Sequence, residues 1–269
     1  MDNSRIAILS TVINFDLYSK SSQFFPKNIQ KYVIDGRNGM HGLHSIFYMM
    51  KKLRNKNIEW LIMADEDVLF QDTKIVFDLI DKMKSEDYML SGIRDGGIIS
   101  HRVYNPHVIN TFFSILNFKE LERIWNRNEI IKNNYILENE FMDDISNLIG
   151  SYETTSLYEP YYCFYFWLRR KNKKFLFLDT EMYKDQISNS VFYNEKIFLY
   201  HTWFARAYGN SDKHTERIDD LFNLLAFKAD EISNPIIFRD KTFFIIQKMK
   251  KNYRRVVRKI LKIKNLGKK

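Results

Sequence analysis

Apolar residues recur along this chain with two different periods. Arg5–Asn14 is a short run rich in β-forming residues and Lys31–Asp35 is a second, so both predict strands; the turn Gly36-Arg37-Asn38-Gly39 follows. The spacing then becomes helical from Leu43 to Arg54, returns to a strand at Ile58–Ala64, and becomes helical again over Thr73–Lys84, where Ile75, Leu79 and Ile80 share one face. Tyr88–Ile93 predicts the next strand. This alternation over the first hundred residues implies a parallel sheet with helices on both faces. From Tyr104 to Gly150 the pattern is more helical and more polar, with an acidic stretch at Glu138–Asp144. Beyond it come the aromatic run Tyr158–Leu168, the basic turn Arg169–Lys174, a strand at Phe175–Asp179, and a short strand at Lys196–Tyr200 that ends on His201.

The run Ile58-Glu59-Trp60-Leu61-Ile62-Met63-Ala64 is followed at once by Asp65-Glu66-Asp67. A buried parallel strand would deliver these carboxylates to the carboxyl edge of the sheet, where open α/β sheets bind ligands. Asp65 and Asp67 lie two apart, so in an extended chain they leave one face and a slight turn lets both reach one hard cation. An ion held by one or two carboxylates, with substrate oxygens completing its shell, is a common way to hold a nucleotide diphosphate. A solvated acidic turn is the plain alternative.

Composition supports a folded chain: 269 residues, 45% hydrophobic and 16% aromatic, suffice for one large α/β domain or two small ones. The single cysteine, Cys163, excludes an intramolecular disulfide and fits a reducing compartment. No run of about 18 apolar residues exists to span a bilayer, and the apolar N-terminal run reads as the first strand instead of a leader. The net charge of +9 is unevenly placed, because residues 241–269 hold twelve Lys or Arg and no acid. Residues 1–240 then carry 30 basic and 33 acidic residues, a net of −3. Within the tail, Met249, Tyr253, Val256, Ile260 and Ile263 recur at helical spacing among basic residues, which describes a basic amphipathic helix. It can lie on an anionic membrane surface, dock on the body, or serve as a nucleic-acid arm.

The order of these features, from the opening strand through Asp65-Glu66-Asp67 and the segment Glu159–Asp179 to His201, resembles a glycosyltransferase of the GT-A fold, similar to the family 2 enzymes. The resemblance spans roughly residues 5–206 by order of elements, with only short stretches matching as motifs. It implies an α/β fold with a mostly parallel sheet flanked by helices; together with the charge and spacing of the tail, this divides the chain into a catalytic domain at 1–240 and a membrane-associating tail at 241–269. It implies Mn²⁺ or Mg²⁺ as cofactor and a nucleotide-diphosphate sugar as donor. Asp67 would then be a direct metal ligand, Asp65 would face the ribose or the metal's waters, and His201 would be a further ligand. Arg206, in Leu199-Tyr200-His201-Thr202-Trp203-Phe204-Ala205-Arg206, would pair with phosphate oxygens. The base pocket would draw on Thr11 to Asn14 and on Asp35 and Arg37, and the donor sugar and phosphate on Arg94 and Asp95.

Inverting members of the family place a base at a helix start, commonly within a Glu-Asp pair. Here Glu159 stands at the first acid and Pro160 at the second, so the role falls to Glu159, to Asp143 or Asp144, or to none if the reaction retains configuration. The resemblance implies a hexosyltransferase-like enzyme. It would serve surface polysaccharide or lipopolysaccharide assembly on the cytoplasmic membrane face, with a saccharide or lipid-linked saccharide acceptor and no nucleic-acid partner. Two other classes remain open: a nucleic-acid-binding protein with a basic C-terminal arm, and a metal-dependent nucleotidyltransferase.

Overall fold

Successive residues of the first strand, Ile6–Val12 (β1), serve opposite sides of a sheet: Ala7 and Leu9 join one core, Ile6 and Ile8 the other. The same division runs through the computed structural model, which describes residues 3–96, 104–146, 148–227, 234–249 and 252–253. The tail positions Val256, Ile260 and Ile263 lie outside the described residues.

Following β1 are Phe15–Ser21 (α1), Gln30–Asp35 (β2), Leu43–Leu53 (α2), Trp60–Ala64 (β3), Val68–Phe70 (β4), Lys74–Ser85 (α3) and Tyr88–Arg94 (β5). After these come Ile109–Asn117 (β6), Phe118–Ile124 (α4), Arg127–Lys132 (α5), Tyr162–Arg170 (α6), Lys174–Met182 (β7), Asn189–Tyr193 (β8), Lys196–His201 (β9), Asp212–Leu224 (α7) and Ile236–Phe238 (β10). One sheet holds all ten strands in the order β10-β2-β1-β3-β6-β5-β7-β8-β9-β4.

The helices form for reasons visible in their sequences. In α2, Ile46, Met49, Met50 and Leu53 make one buried stripe, and Lys51 and Lys52 in the last turn suit the negative end of the helix dipole. Gly42, at φ +54°, precedes α2 in a conformation that a side chain resists. In α3, Ile75, Val76, Leu79, Ile80 and Met83 are buried against the opposite sheet face from α2. From Tyr162 to Leu168 α6 is buried on every side, as an all-apolar helix must be.

The sheet is mixed, which corrects the expectation of a mostly parallel one. β10, β2, β1 and β3 are parallel neighbours, as are β5 and β7, while β6 runs antiparallel between β3 and β5. The segment expected to be helical therefore holds the nine-residue β6, whose apolar residues serve both cores and so show no alternation. Because β6 runs backwards, its first residues meet the carboxyl end of β3, next to that of β1: the amide of Asp65 donates to the carbonyl of Phe112 at 2.9 Å.

Candidate active site

At that shared edge lies a cavity of about 530 Å³. It is lined by Thr11 and Ile13 at the end of β1, the acidic triplet after β3, Asn110 and Phe112 of β6, Glu159 before α6, His201, and the stretch from Trp203 to Ala207. Six residues singled out from sequence thus come together: Thr11, Asp65, Asp67, Glu159, His201 and Arg206.

The triplet is divided in its tasks. Glu66 turns back under β1, and its Oε1 accepts the amides of Ile13 at 2.8 Å and Asn14 at 3.2 Å. Asp67 and His201 are joined through the short β4–β9 ladder, in which Val68 faces His201 and the Thr202 amide donates to the Asp67 carbonyl at 2.9 Å. Their side chains meet with His201 Nε2 3.4 Å from Asp67 Oδ2. The imidazole stacks on Phe112 at 3.8 Å between ring centroids and lies 4.2 Å from Trp203. Its Nδ1 is buried with no hydrogen-bond partner among the described residues.

Among the described residues no Lys or Arg forms an ion pair with the three carboxylates. Burial, followed by the charges of Glu66 and Asp67, holds the Asp65 carboxyl well above its ordinary range. Burial and the charge of Asp67 push Glu66 up to about 7. Carboxyls buried and crowded in this way ionise more readily beside a bound cation. The expected ligand set Asp65, Asp67 and His201 is not gathered as a cage, however: among the described residues no three His, Cys, Asp or Glu side chains are arranged to hold an ion. The Thr11 backbone N–H partly offsets the rise at Asp65 by favouring its charged form. Asp67 and His201 fit an ion that completes its shell with substrate oxygens and water.

The raised carboxyls predict a pH effect. Between the unfolded value of 4.5 and about 7, native Glu66 keeps a proton that the unfolded chain releases, so stability falls as pH rises through that window. The full change is on the order of 3 kcal/mol. Glu66→Gln keeps an oxygen for the Ile13 and Asn14 amides and is expected to flatten the profile. Urea unfolding at pH 5 and pH 8 measures it, and parallel profiles for the two proteins would refute the assignment.

Arg206 reaches the cavity through a strained turn. Trp203 and Phe204 both have left-handed backbones, at φ +56° and +58°, a conformation costing about 1–3 kcal/mol for each bulky residue. Contacts from α7 and β8 offset the cost: Asn189 Oδ1 accepts the Trp203 indole N–H at 2.5 Å, the Arg217 guanidinium donates to the Trp203 carbonyl at 3.4 Å, and Phe204 stacks on His214 at 4.4 Å. Just after β1, the Asn14 amide group donates to the carbonyls of Ala205 and Tyr208, each at 2.9 Å. Asn14 therefore positions this loop, and its side chain caps α1, instead of lining the cavity.

Several other sequence candidates are held in bonds outside the cavity. Asp35 accepts Arg37 through two side-chain bonds, at 2.9 and 2.7 Å, with Arg239 3.1 Å away, while the Arg37 guanidinium lies over Phe15. Arg94 donates to the Pro106 carbonyl and stacks on Phe177. Asp95 is fully buried and accepts Tyr161, Tyr162 and Asn110 side chains at 2.7–2.9 Å, so it positions two cavity residues, Tyr161 and Asn110. Asp143 is gripped by both terminal nitrogens of Arg169 and by His107 Nδ1 at 2.7 Å; burial opposes its charge, but these bonds hold its carboxyl well below the ordinary range. Asp144 is exposed and accepts Ser146. Neither acid lines the cavity of the triplet.

The cavity also contains residues that the sequence did not single out: His41, Ser45, Asn110, Phe112 and Tyr161. His41 lies between Gly39 and Gly42 just before α2, and that glycine bracket was the available signal. Burial and then the charge of Arg206 lower its pKa.

No protein-family model matches the chain, and no curated protein matches it. Among solved structures, it is similar to a glycosyltransferase involved in glycosylation of the major capsid of PBCV-1, at 17% identity over 44% of this chain and 63% of that one, with a TM-score of 0.32. It is also similar to the mannosyltransferase PcManGT from Pyrobaculum calidifontis, solved with GDP-Man and Mn²⁺, at 10% identity over 45% of this chain and 46% of that one, with a TM-score of 0.30. A third is mouse xyloside xylosyltransferase 1, at 11% identity over 80% of this chain and 93% of that one, with a TM-score of 0.38.

Proposed function

We propose that this protein is a metal-dependent glycosyltransferase that moves a sugar from a nucleotide-diphosphate donor to a saccharide acceptor. The observation that carries the reading is one cavity lined by the carboxyls of Asp65, Asp67 and Glu159 together with the guanidinium of Arg206. A diphosphate neutralised partly by a cation needs both signs within one ligand's length. The cavity volume of about 530 Å³ suits a ligand of that size.

In this reading Asp67 and His201 hold Mn²⁺ or Mg²⁺, and Arg206 pairs with phosphate oxygens in a bidentate fork. A divalent ion, when bound, supplies neutralisation of the charge that develops on the departing diphosphate. Asp65, beside Thr11, hydrogen-bonds the donor's ribose. Glu159 receives the acceptor hydroxyl's proton if the anomeric configuration inverts. Phe112 and Trp203 exclude water from one side of the imidazole and keep its ring plane fixed. The acceptor would be a lipid-linked saccharide of a surface-polysaccharide or lipopolysaccharide pathway, met at the cytoplasmic face of a membrane.

The test is a thermal-shift screen of UDP, GDP, CDP and TDP with and without Mn²⁺. Stabilisation by one nucleoside diphosphate, dependent on the ion, is expected; at a hundredfold excess over Kd it amounts to about 2.7 kcal/mol. Stabilisation by none, or equally with and without ion, would sink the proposal. His201→Ala is expected to weaken the ion-dependent binding by about tenfold or more, since it removes one of two protein ligands. An unchanged affinity would remove His201 from the site.

A further inference from the structure

We infer that the helix beginning at Phe243 contacts an anionic lipid surface, and that its attachment beside α2 turns the mouth of the cavity toward that surface. The inference rests on the transferase reading only for what the surface would present to the cavity.

The start of the segment is fixed to the body. Asp240 caps it, its carboxylate accepting the amides of Thr242 and Phe243 at 3.1 Å, and its carbonyl accepts the Asn38 side chain at 2.8 Å. Residues 243–249 are helical. Phe243 packs on the core that contains α2, with its ring edge-on to His44 at 5.2 Å. His44 belongs to the first turn of α2, whose neighbours Gly42 and Ser45 line the cavity. The segment therefore leaves the protein at the cavity's rim.

Beyond Phe243 the apolar residues turn outward. Phe244, Ile245, Ile246 and Met249 are 59%, 58%, 44% and 66% exposed, and Tyr253 is 71% exposed. A helix docked on the body would bury its apolar residues; here Phe243 makes the anchor and Phe244, Ile245, Ile246 and Met249 stay exposed. The occupant follows from charge. Residues 241–269 carry twelve Lys or Arg and no acid, and the body's net of −3 cannot match them, so the complement is external and negative. A nucleic acid offers negative charge but no apolar medium for a row of Ile, Met and Tyr, whereas an anionic lipid interface offers both.

The test uses the full chain with vesicles of phosphatidylcholine, either alone or with about 30% phosphatidylglycerol. Binding to the anionic vesicles, weak or absent on neutral ones and partly retained at about 0.5 M NaCl, is expected. The paired substitution Ile245→Asp and Met249→Asp should weaken it about tenfold or more while leaving thermal stabilisation by nucleotide and Mn²⁺ unchanged. Amide exchange at residues 39–42, beside the anchor, should slow on vesicles, and that at 71–73, next to the far edge strand β4, should not. Indifference to anionic vesicles, undiminished binding by the paired variant, or co-purifying RNA in place of vesicle binding would overturn the lipid assignment. Unslowed exchange at 39–42 would overturn the orientation. A chain that binds vesicles but no nucleotide would remove the transferase reading and leave the lipid contact standing.

Discussion

Asp67→Asn is expected to lower turnover about a thousandfold, on the order of 4 kcal/mol of transition-state stabilisation, while the melting temperature stays the same or rises. The exchange keeps side-chain volume and leaves intact the bond from the Thr202 amide to the Asp67 backbone carbonyl, so the β4–β9 junction persists. It removes one full charge from three crowded carboxylates, which relieves Asp65 and Glu66 in the unliganded protein. Loss of activity coupled to equal or greater stability is the signature of a site that holds charge for function at a structural cost. Calorimetric binding of nucleotide with Mn²⁺, alongside turnover, checks it. Undiminished binding and turnover would show that the triplet is a structural turn.

The elements legible in the sequence were those with a single buried face or a clear bounding turn. β1, β2, β3 and β5, with α2 and α3, begin and end within about two residues of their expected positions, because each shows its period or its boundary plainly. β6 was illegible for want of such a boundary: buried on both faces like β1, Ile109–Asn117 has no alternation, and it runs directly into α4, which with α5 lent the region a helical look. That one strand decides the sheet's mixed character and supplies Asn110 and Phe112 to the cavity. α1 was hidden in a serine-rich stretch, although Asn14 three residues before Leu17 is a cap signal that the structure uses.

For the site, position after a strand proved informative and residue type alone did not. Asp65, Asp67 and His201 end or follow strands whose carboxyl ends meet at one edge, so their convergence follows from topology. Asp35, Arg94, Asp95 and Asp143 also follow or lie near strand ends, yet each is already satisfied by a partner far along the chain or across a turn. Whether a carboxylate faces a ligand or an arginine depends on such a partner: Arg169 lies 26 positions after Asp143, and nothing local announces the pairing.

Glu159→Gln is the sharper test of chemistry, expected to reduce the chemical step about a hundredfold or more while donor and ion binding stay unchanged. Glu159 lines the cavity ahead of α6, whose first turn is fixed by the bonds from Tyr161 and Tyr162 to Asp95, so the substitution should not move the helix. Asp143→Asn should behave differently. Its carboxylate balances Arg169, Arg94 and His107 in a partly buried cluster, and neutralising it leaves those groups facing one another, so lower stability at near-normal turnover of the folded fraction is expected. Single-turnover rates with saturating donor, set beside urea unfolding of both variants, separate the two outcomes. Near-normal turnover by Glu159→Gln, with a catalytic loss in stable Asp143→Asn, would reverse the assignment. Near-normal rates in both would favour a reaction that retains configuration and needs no such base.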